Sequence, residues 1–464
     1  MADFNPPTLD EVRRAASWLG GKAGEAWRAG NAALGRNHLR IGITGLSGAG
    51  KSVFTTALVH ALRHGGAHRA SMPLLADALG PRGWSAAVER LEDIPPFPLA
   101  RHVEGLTAEP PRWPEPTREL CGLRLRLARR HRPGDEVVLD IVDYPGEWLL
   151  DLELLQLGYA QWSDAALARL EAACTACAGA ARAWIARARA AAADARAAPG
   201  LVEDHAALLA MAAASGLRHL QPGRLVVPQP GVAAFAPAPL PADMAGSALH
   251  AAMAARYARY RAEAIEPFYR AHFARLDRQV VLFDAIGALA AGPAVFADSG
   301  AALEAALASF RYRRVPLLDR LRTRIDRVVV LATKADHVTT TQYLNLRQLV
   351  AGRLEATRWA GAIDADMLRF DVVAAVRATQ DGWIRRDGAQ RAAICGTLKE
   401  PGAGERLLVP SDVPPAPPAR DAWPEGGFVY ADFAPPGLAA HGEKPFPNVN
   451  LDKAIDLLLG DWLR

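Results

Sequence analysis

The sequence predicts an α/β fold in which a mostly parallel sheet is interrupted by a large α-helical insertion. Short apolar runs alternate with segments of helical spacing in the first and last thirds of the chain. Strands that alternate with helices in this way form parallel sheets covered on both faces. Between these regions, alanine, arginine and leucine recur at helical spacing. We therefore predict four parts: an N-terminal amphipathic helix (1–38), the first part of the sheet domain (39–150), the helical insertion (151–277) and the second part of the sheet domain (278–464).

The elements of the predicted sheet domain follow from apolar runs and the glycines or prolines that bound them. The first strand ends in a glycine-rich turn, and a helix over Lys51–Arg63 follows that turn. Residues 64–118 are rich in proline and predict irregular structure, and residues 400–445 predict loops with one hairpin. A helix over Leu451–Leu463 closes the chain. The predicted strands are Leu39–Thr44, Glu119–Leu127, Val137–Val142, Val280–Phe283, Val328–Ala332 and Val372–Ala375.

Composition excludes several classes of protein. A net charge of +4 over 464 residues does not support a nucleic-acid-binding surface across the whole protein. Cys174 and Cys177 form a C-x-x-C pair, but the absence of a second pair or a nearby histidine argues against zinc, and small apolar packing residues are expected instead. No run reaches the ~18 apolar residues of a membrane-spanning helix. With no cleavable signal recognisable at the start, we expect a cytoplasmic protein.

The clearest functional motif is a complete G-x-x-x-x-G-K-S sequence after the first strand. Its glycines allow successive backbone N–H groups to point at phosphate oxygens. The lysine adds a positive charge that reaches the terminal phosphates, and the serine hydroxyl supplies a magnesium ligand. This motif predicts a phosphate-binding loop. Its expected nucleotide contacts are Gly45, Ser47, Gly48, Ala49, Gly50, Lys51, Ser52 and Val53.

A second motif, D-x-x-G, follows the apolar run Val137–Val142. An acidic residue at the end of a buried strand can hold magnesium, and the glycine N–H can meet the γ-phosphate. The motif assigns these roles to Asp143 and Gly146. Asp140 on the same strand is a competing magnesium ligand, although no glycine follows it at this spacing.

A third motif, T-K-A-D, follows the apolar run Val328–Ala332. The carboxylate of Asp336 can accept hydrogen bonds from guanine N1–H and the exocyclic amine, a pair that adenine does not offer. The stem of Lys334 can pack over the base, and Thr333 occupies the place of the commoner asparagine. An ordinary strand-to-helix turn is the alternative interpretation.

Position alone suggests further site residues. Ala375 and Val376 end the last predicted strand, where a backbone N–H can contact the guanine oxygen. Thr117 is placed to complete the magnesium shell, or is simply a threonine of a proline-rich loop. Glu147 follows Gly146, where several GTPases carry a glutamine that orients the attacking water. A carboxylate there predicts slow turnover; alternatively, Glu147 only begins a helix.

With these residues placed, the sequence resembles the YcjX-like family of bacterial Ras-like GTP-binding proteins. The resemblance covers most of the chain and includes the stretches DYPGEWLL, TKADHV, VAAVRAT and KPFPNVNLDKAIDLLL. It implies a Ras-like P-loop domain with a helical insertion, GTP or GDP with Mg²⁺ as ligands, and a link to stress, in particular the phage-shock envelope response. The residues carried over are Gly45–Ser52, Asp143, Gly146, Lys334 and Asp336.

These observations predict a switch that hydrolyses GTP to GDP and phosphate, with Lys51, Gly146 and Glu147 as catalytic candidates and Ser52, Thr117 and Asp143 around Mg²⁺. Two alternatives stay open. The first is an ATP-dependent P-loop enzyme. The second is a nucleotide-stabilised scaffold that acts through the helical insertion, or through peripheral membrane binding of the N-terminal helix at the inner membrane. The protein partner and the oligomeric state are left undecided by the sequence.

Overall fold

A computed structural model describes residues 37–80, 84–129, 136–173, 175–309, 325–359, 367–386, 388–400, 402–439 and 441–464. The predicted N-terminal amphipathic helix lies outside these residues. Within the described ranges, no helix combines the length and apolar character needed to cross a bilayer.

The centre of the molecule is a seven-stranded, mostly parallel sheet with the order β2-β3-β4-β1-β5-β6-β7. Five adjacent strands, from β4 to β7, are parallel, while β2 and β3 run antiparallel to their neighbours. The strands are β1 (His38–Gly45), β2 (Trp84–Glu89), β3 (Cys121–Arg129), β4 (Glu136–Asp143), β5 (Arg278–Phe283), β6 (Arg327–Ala332) and β7 (Leu368–Val372).

A second, antiparallel sheet has the order β10-β9-β8. It is formed by β8 (Thr379–Arg386), β9 (Ala389–Thr397) and β10 (Glu405–Leu408). Most of this sheet was not predicted from the sequence, and neither were the ordered elements within residues 64–118. There the structure has two helices and β2, where only irregular structure was predicted.

The final predicted strand is wrong at both ends. It was expected over Val372–Ala375, but β7 runs from Leu368 to Val372. Beyond it the chain leaves the sheet, because Ala374 pairs in an antiparallel bridge with Val449. The apolar character of residues 373–376 therefore reflects burial in a loop, not a strand.

Helices cover both faces of the main sheet. Fourteen α-helices lie within the described ranges: α1 (Lys51–His64), α2 (Pro73–Leu79), α3 (Leu99–Thr107), α4 (Gly146–Leu150), α5 (Tyr159–Ala173), α6 (Thr175–Ala190), α7 (Ala198–Ala214), α8 (Gly223–Val226), α9 (Ala248–Tyr260), α10 (Glu266–Ala271), α11 (Ala285–Ala290), α12 (Pro293–Ala308), α13 (Tyr343–Trp359) and α14 (Leu451–Leu463). Helices α1 and α14 confirm the predictions made for them.

The two faces of the sheet belong to different hydrophobic clusters. Because side chains alternate across a strand, Val280 of β5 packs with α1 and α14, whereas Val281 packs with the helices between β4 and β5. These helices, α4–α10, share one continuous core with that face of the sheet. The helical segment is thereby packed against the strands whose ends carry the predicted motifs. That the helical segment forms a separate insertion domain stays a prediction.

Candidate functional site

The predicted motifs meet at one edge of the main sheet. Since the five parallel strands share a direction, their carboxyl ends bring together Gly45, Asp143, Asp284, Thr333 and Val373. Strand β4 lies on one side of β1, and the chain then crosses to β5 on the other side, so the strand order reverses at β1. Ligands of open α/β sheets bind at such a reversal of strand order, outside the carboxyl ends.

The glycine-rich loop joins β1 to α1 through left-handed backbone conformations. Gly48 and Gly50 have φ angles of 83° and 81°, which residues with a Cβ rarely adopt. Gly50 is also the N-cap of α1 and provides no side-chain cap, so the first amides of the helix stay available to an anion. The buried Lys51 donates from Nζ to the Gly45 carbonyl at 2.6 Å, which holds its ammonium group within the loop.

Three oxygen-bearing side chains from separate segments converge beside this loop. Thr117 Oγ1 donates to Asp143 Oδ2 at 3.0 Å and lies 3.1 Å from Ser52 Oγ. Ser52 also donates to the Glu115 carbonyl at 2.8 Å, which fastens the proline-rich segment over α1. The structure thus brings together all three residues that the sequence nominated as magnesium ligands.

Asp143 is completely buried, and its Oδ1 atom has no hydrogen-bond partner. Burial raises the pKa of Asp143 to about 7, while the charge of Lys51 and the hydrogen bond from Thr117 act in the opposite direction. A buried carboxylate oxygen without a partner is a strong candidate for a cation ligand.

The donor set fits magnesium in particular. Two hydroxyls and one carboxylate are hard oxygen donors, which Mg²⁺ prefers, and Mg²⁺ usually completes its shell with water and substrate phosphates. The described residues contain no group of three or more His, Cys, Asp and Glu side chains able to hold a metal. A magnesium ion here would therefore depend on Ser52, Thr117, Asp143 and a bound nucleotide.

The competing ligand Asp140 is engaged elsewhere. It accepts two hydrogen bonds from Arg124, at 2.7 and 2.9 Å, and its Oδ2 lies 2.8 Å from His38 Nε2. Burial alone would raise the pKa of Asp140, but the hydrogen bonds from His38 and Arg124 outweigh it and lower the pKa to about 2. This carboxylate stabilises the sheet and is not part of the constellation around Asp143.

The D-x-x-G segment is pressed onto the glycine-rich loop. A Cβ added to Gly146 would lie 2.5 Å from the Gly45 carbonyl oxygen, so only glycine fits this close approach. The next residue, Glu147, is 4% exposed, and its Oε1 accepts from the Ser47 backbone N–H at 3.0 Å. The carboxylate that the sequence placed near an attacking water thus contacts a backbone amide of the glycine-rich loop.

The opposite side of this segment is packed on the helices between β4 and β5. A Cβ on Gly223 would lie 1.9 Å from the Glu147 carbonyl oxygen. The fully buried Asp151 accepts from Gly223 N–H at 2.7 Å, from Arg224 Nη1 at 2.9 Å and from the Tyr260 hydroxyl at 2.5 Å. The loop between β4 and α4 is therefore held between the glycine-rich loop and the helical segment.

The T-K-A-D segment lies at the end of β6, and its polar groups bond to the protein. Lys334 has a φ of 57°, and its Nζ lies 2.6 Å from Asp284. Burial alone would lower the pKa of Lys334, but the Asp284 carboxylate outweighs burial and raises it. The buried Asp336 accepts from the Ala378 N–H at 2.7 Å. Thr333 donates from its N–H to the Phe283 carbonyl.

The segment with Ala375 and Val376 lies next to the T-K-A-D segment. Ala335 N–H donates to the Val373 carbonyl, which joins the two. On either side of Ala375 and Val376, the amides of Ala374 and Arg377 donate to carbonyls of residues 449 and 447. The two residues nominated for the guanine oxygen are therefore buried in a fixed loop.

Asp284 is the site residue that sequence reasoning missed. It directly follows the buried strand β5, which is the same pattern that singled out Asp143 after β4. Its side chain caps α11 by accepting from Gly287 N–H at 2.8 Å and also pairs with Lys334. The signal in the sequence is therefore an acidic residue directly after a buried strand.

Comparisons with known proteins agree with the resemblance seen in the sequence. The model of the YcjX-like family, DUF463, matches residues 39–463. A protein of Shewanella oneidensis named "Ras-like GTPase YcjX" is 34% identical over 462 residues, covering 92% of this chain and 95% of the relative. A protein of Escherichia coli K12 with the same name is 33% identical over 466 residues, covering 92% and 96% respectively.

Proposed function

The chain belongs to the YcjX-like family, and we propose that it is a Ras-like, magnesium-dependent GTPase that hydrolyses GTP to GDP and phosphate at the edge of the main sheet. The relatives' names support GTPase character in general. The observation that carries the finer proposal is that Thr117 lies within 3.1 Å of both Ser52 and Asp143, beside Lys51.

In this proposal the phosphates lie over the amides of the glycine-rich loop and the first turn of α1. Lys51 exchanges its bond to the Gly45 carbonyl for phosphate oxygens, which leaves the buried ammonium group paired with a stronger acceptor. Ser52, Thr117 and the partnerless oxygen of Asp143 hold Mg²⁺. The ion would neutralise charge that develops between the β- and γ-phosphates.

Guanine selection is assigned to Asp336. Its carboxylate lies buried at the end of β6, where a guanine would offer N1–H and its amine. Lys334 is held over this region by its ion pair with Asp284. Ala375 and Val376 line the adjoining loop and are assigned to the guanine oxygen.

The proposal includes slow turnover and a switch role. Glu147 is occupied by the Ser47 amide and has no proton to donate to a phosphate oxygen while ionised, so it is poorly suited to orient water. Loss of the γ-phosphate would free the segment around Gly146, which touches the helical segment at Gly223. The link to envelope stress that the resemblance implies stays a prediction, as does the choice of protein partner.

The test is binding of fluorescent GTP and ATP with Mg²⁺, followed in parallel with phosphate release. We expect GTP to bind at least ten times more tightly than ATP, and Asp336→Ala to remove most of that preference. Asp243→Ala is a matched control, because Asp243 is an exposed carboxylate of the helical segment that pairs with Arg189. Equal binding of both nucleotides to the wild type and to Asp336→Ala would refute guanine selection.

One observation favours the ATP-dependent alternative. Asp336 Oδ2 already accepts from Ala378 N–H, so a guanine would share this carboxylate with an internal hydrogen bond. If that bond persists, the carboxylate discriminates weakly and the site accepts adenine. The same titration decides this point, because the alternative expects ATP affinity equal to GTP affinity and phosphate release from both.

A further inference from the structure

The contact between Glu147 and Ser47 adds a property that a phosphate-binding loop does not need. Glu147 Oε1 accepts from the Ser47 N–H at 3.0 Å, and the side chain is 4% exposed. The amide belongs to the loop that is expected to receive phosphate oxygens. An anionic side chain thus occupies a hydrogen-bond donor of an anion-binding loop.

The position of the Glu147 carboxylate concerns the terminal γ-phosphate of the nucleotide. Glu147 directly follows Gly146, whose N–H is the proposed contact of the γ-phosphate. Gly146 is in close contact with Gly45 at the start of the loop. A γ-phosphate in that place would meet the carboxylate, whereas a diphosphate ends one phosphate earlier.

The backbone that carries Glu147 is held on both sides. The backbone at Gly146 is pressed against the Gly45 carbonyl, and the backbone of Glu147 is pressed against Gly223 on the other side. Lys51, the cation of the loop, donates to the Gly45 carbonyl at 2.6 Å. These contacts favour the position of the Glu147 carboxylate on the Ser47 amide.

Resting on the proposed function, we infer that Glu147 is a specificity-determining residue that distinguishes a nucleoside diphosphate from a triphosphate. Its carboxylate on the Ser47 amide leaves room for the α- and β-phosphates and repels the γ-phosphate. The nucleotide-binding site therefore prefers GDP, and GTP binds only when the Glu147 carboxylate leaves the Ser47 amide. Like charges brought together at a binding interface cost enough to set such a preference.

The test compares equilibrium binding of fluorescent GDP and a non-hydrolysable GTP analogue, with Mg²⁺, to the full chain. We expect the wild type to bind GDP about tenfold more tightly or better. Glu147→Gln keeps the size of the side chain and an oxygen for Ser47 but removes the charge. It should raise affinity for the analogue about tenfold and change affinity for GDP less than twofold.

Two further variants separate charge from shape. Glu147→Asp keeps the charge and should keep the preference for GDP. Glu153→Gln removes the same charge six residues later, where Glu153 faces His219 and Gln221, and should behave as the wild type. Equal affinities for GDP and the analogue in the wild type, or equal changes for both in Glu147→Gln, would overturn the inference. A wild type that binds neither nucleotide would instead refute the proposed function.

Discussion

The phosphate end and the base end of the proposed site are built differently. At the phosphate end, Thr117 bonds to both Ser52 and Asp143, and Asp143 Oδ1 lacks a partner. At the base end, Lys334 pairs with Asp284, and Asp336 accepts from Ala378 N–H. A buried carboxylate oxygen at the phosphate end therefore lacks a hydrogen-bond partner, whereas the side chains at the base end already have partners within the protein.

Because of this difference, we expect the phosphate end to set the affinity for a nucleotide and the base end to set the selectivity between nucleotides. A ligand at the phosphate end supplies charges and oxygens that the folded chain lacks, so binding there recovers the cost of burying Asp143. A base at the other end meets side chains that already have partners within the protein, so its net gain is smaller. We expect most binding energy from the phosphates and a modest remainder from the base.

The largest effect should come from Lys51→Ala. Removing the buried ammonium group removes the charge-assisted bonds to the β- and γ-phosphates, and both GTP and ATP should lose about a thousandfold in affinity, or ~4 kcal/mol. Fluorescent nucleotide titration measures the loss. Lys399→Ala is the control, since Lys399 is exposed and lies in the loop after β9. A loss confined to GTP would contradict the division proposed between the two ends.

The cost of burying Asp143 should make the free energy of unfolding depend on pH when Mg²⁺ and nucleotide are absent. Burial raises its pKa to about 7, so the folded state holds a proton that the unfolded state releases near pH 4. Its contribution to the free energy of unfolding must then fall as the pH rises from about 4 to about 7. Asp143→Asn should be more stable than the wild type at pH 8, by on the order of 3 kcal/mol, and the difference should shrink by pH 5.

Urea unfolding from pH 5 to pH 8 measures this difference. Asp140→Asn is the matched control with the opposite sign. The pKa of Asp140 is lowered to about 2, so its carboxylate is ionised above pH 4, and its loss should destabilise the chain at pH 8 as well as at pH 5. If the two variants follow the same pH profile, the assignment of a partnerless, ligand-seeking carboxylate to Asp143 is wrong.

Gly146→Ala should disturb the phosphate end with a smaller cost in stability. The added Cβ would lie 2.5 Å from the Gly45 carbonyl oxygen, and backbone atoms cannot yield easily. We expect a loss of about 1–3 kcal/mol in the free energy of unfolding and weaker binding of GTP and ATP alike. Gly158→Ala is the control, because the nearest atom to its Cβ is a side-chain oxygen at 3.8 Å. Unchanged nucleotide affinity in Gly146→Ala would show that the close approach does not shape the loop.

Two features of the phosphate end differ in how far the sequence predicts them. The glycine-rich loop is a local motif, and the conformations of Gly48 and Gly50 are dictated by neighbouring residues. The contact of Glu147 with Ser47 joins residues 100 positions apart and depends on how α4 packs on Gly223. Tertiary contacts of that kind leave no periodic signal in the sequence.

The missed elements have similar physical reasons. The prolines within residues 64–118 led to a prediction of irregular structure where α2 and α3 lie. These prolines are compatible with helices, because Pro73 is the first residue of α2 and a proline is the N-cap before Leu99. The hairpin of β8 and β9 had a readable signal, the dipeptide Asp387-Gly388 between two alternating runs. The true end of β7 was not readable, because the bridge from Ala374 to Val449 comes from a segment 75 residues away in sequence.

The smallest effect, and the finest probe of the base end, should come from Asp284→Asn. An asparagine can still cap α11 but cannot hold Lys334 by charge, so the lysine stem loses its fixed place at the end of β6. We expect affinity for GTP to fall about threefold, or ~0.7 kcal/mol, and affinity for ATP to fall less, because an adenine without bonds to Asp336 is held less firmly against the lysine stem. Asp432→Asn is the control, since Asp432 is exposed and lies 4.0 Å from the Lys334 ammonium. Equal losses for GTP and ATP would place Asp284 with the phosphate end. That outcome tests the boundary between the two ends, because Asp284 directly follows β5, which lies beside β1, the strand that leads into the glycine-rich loop.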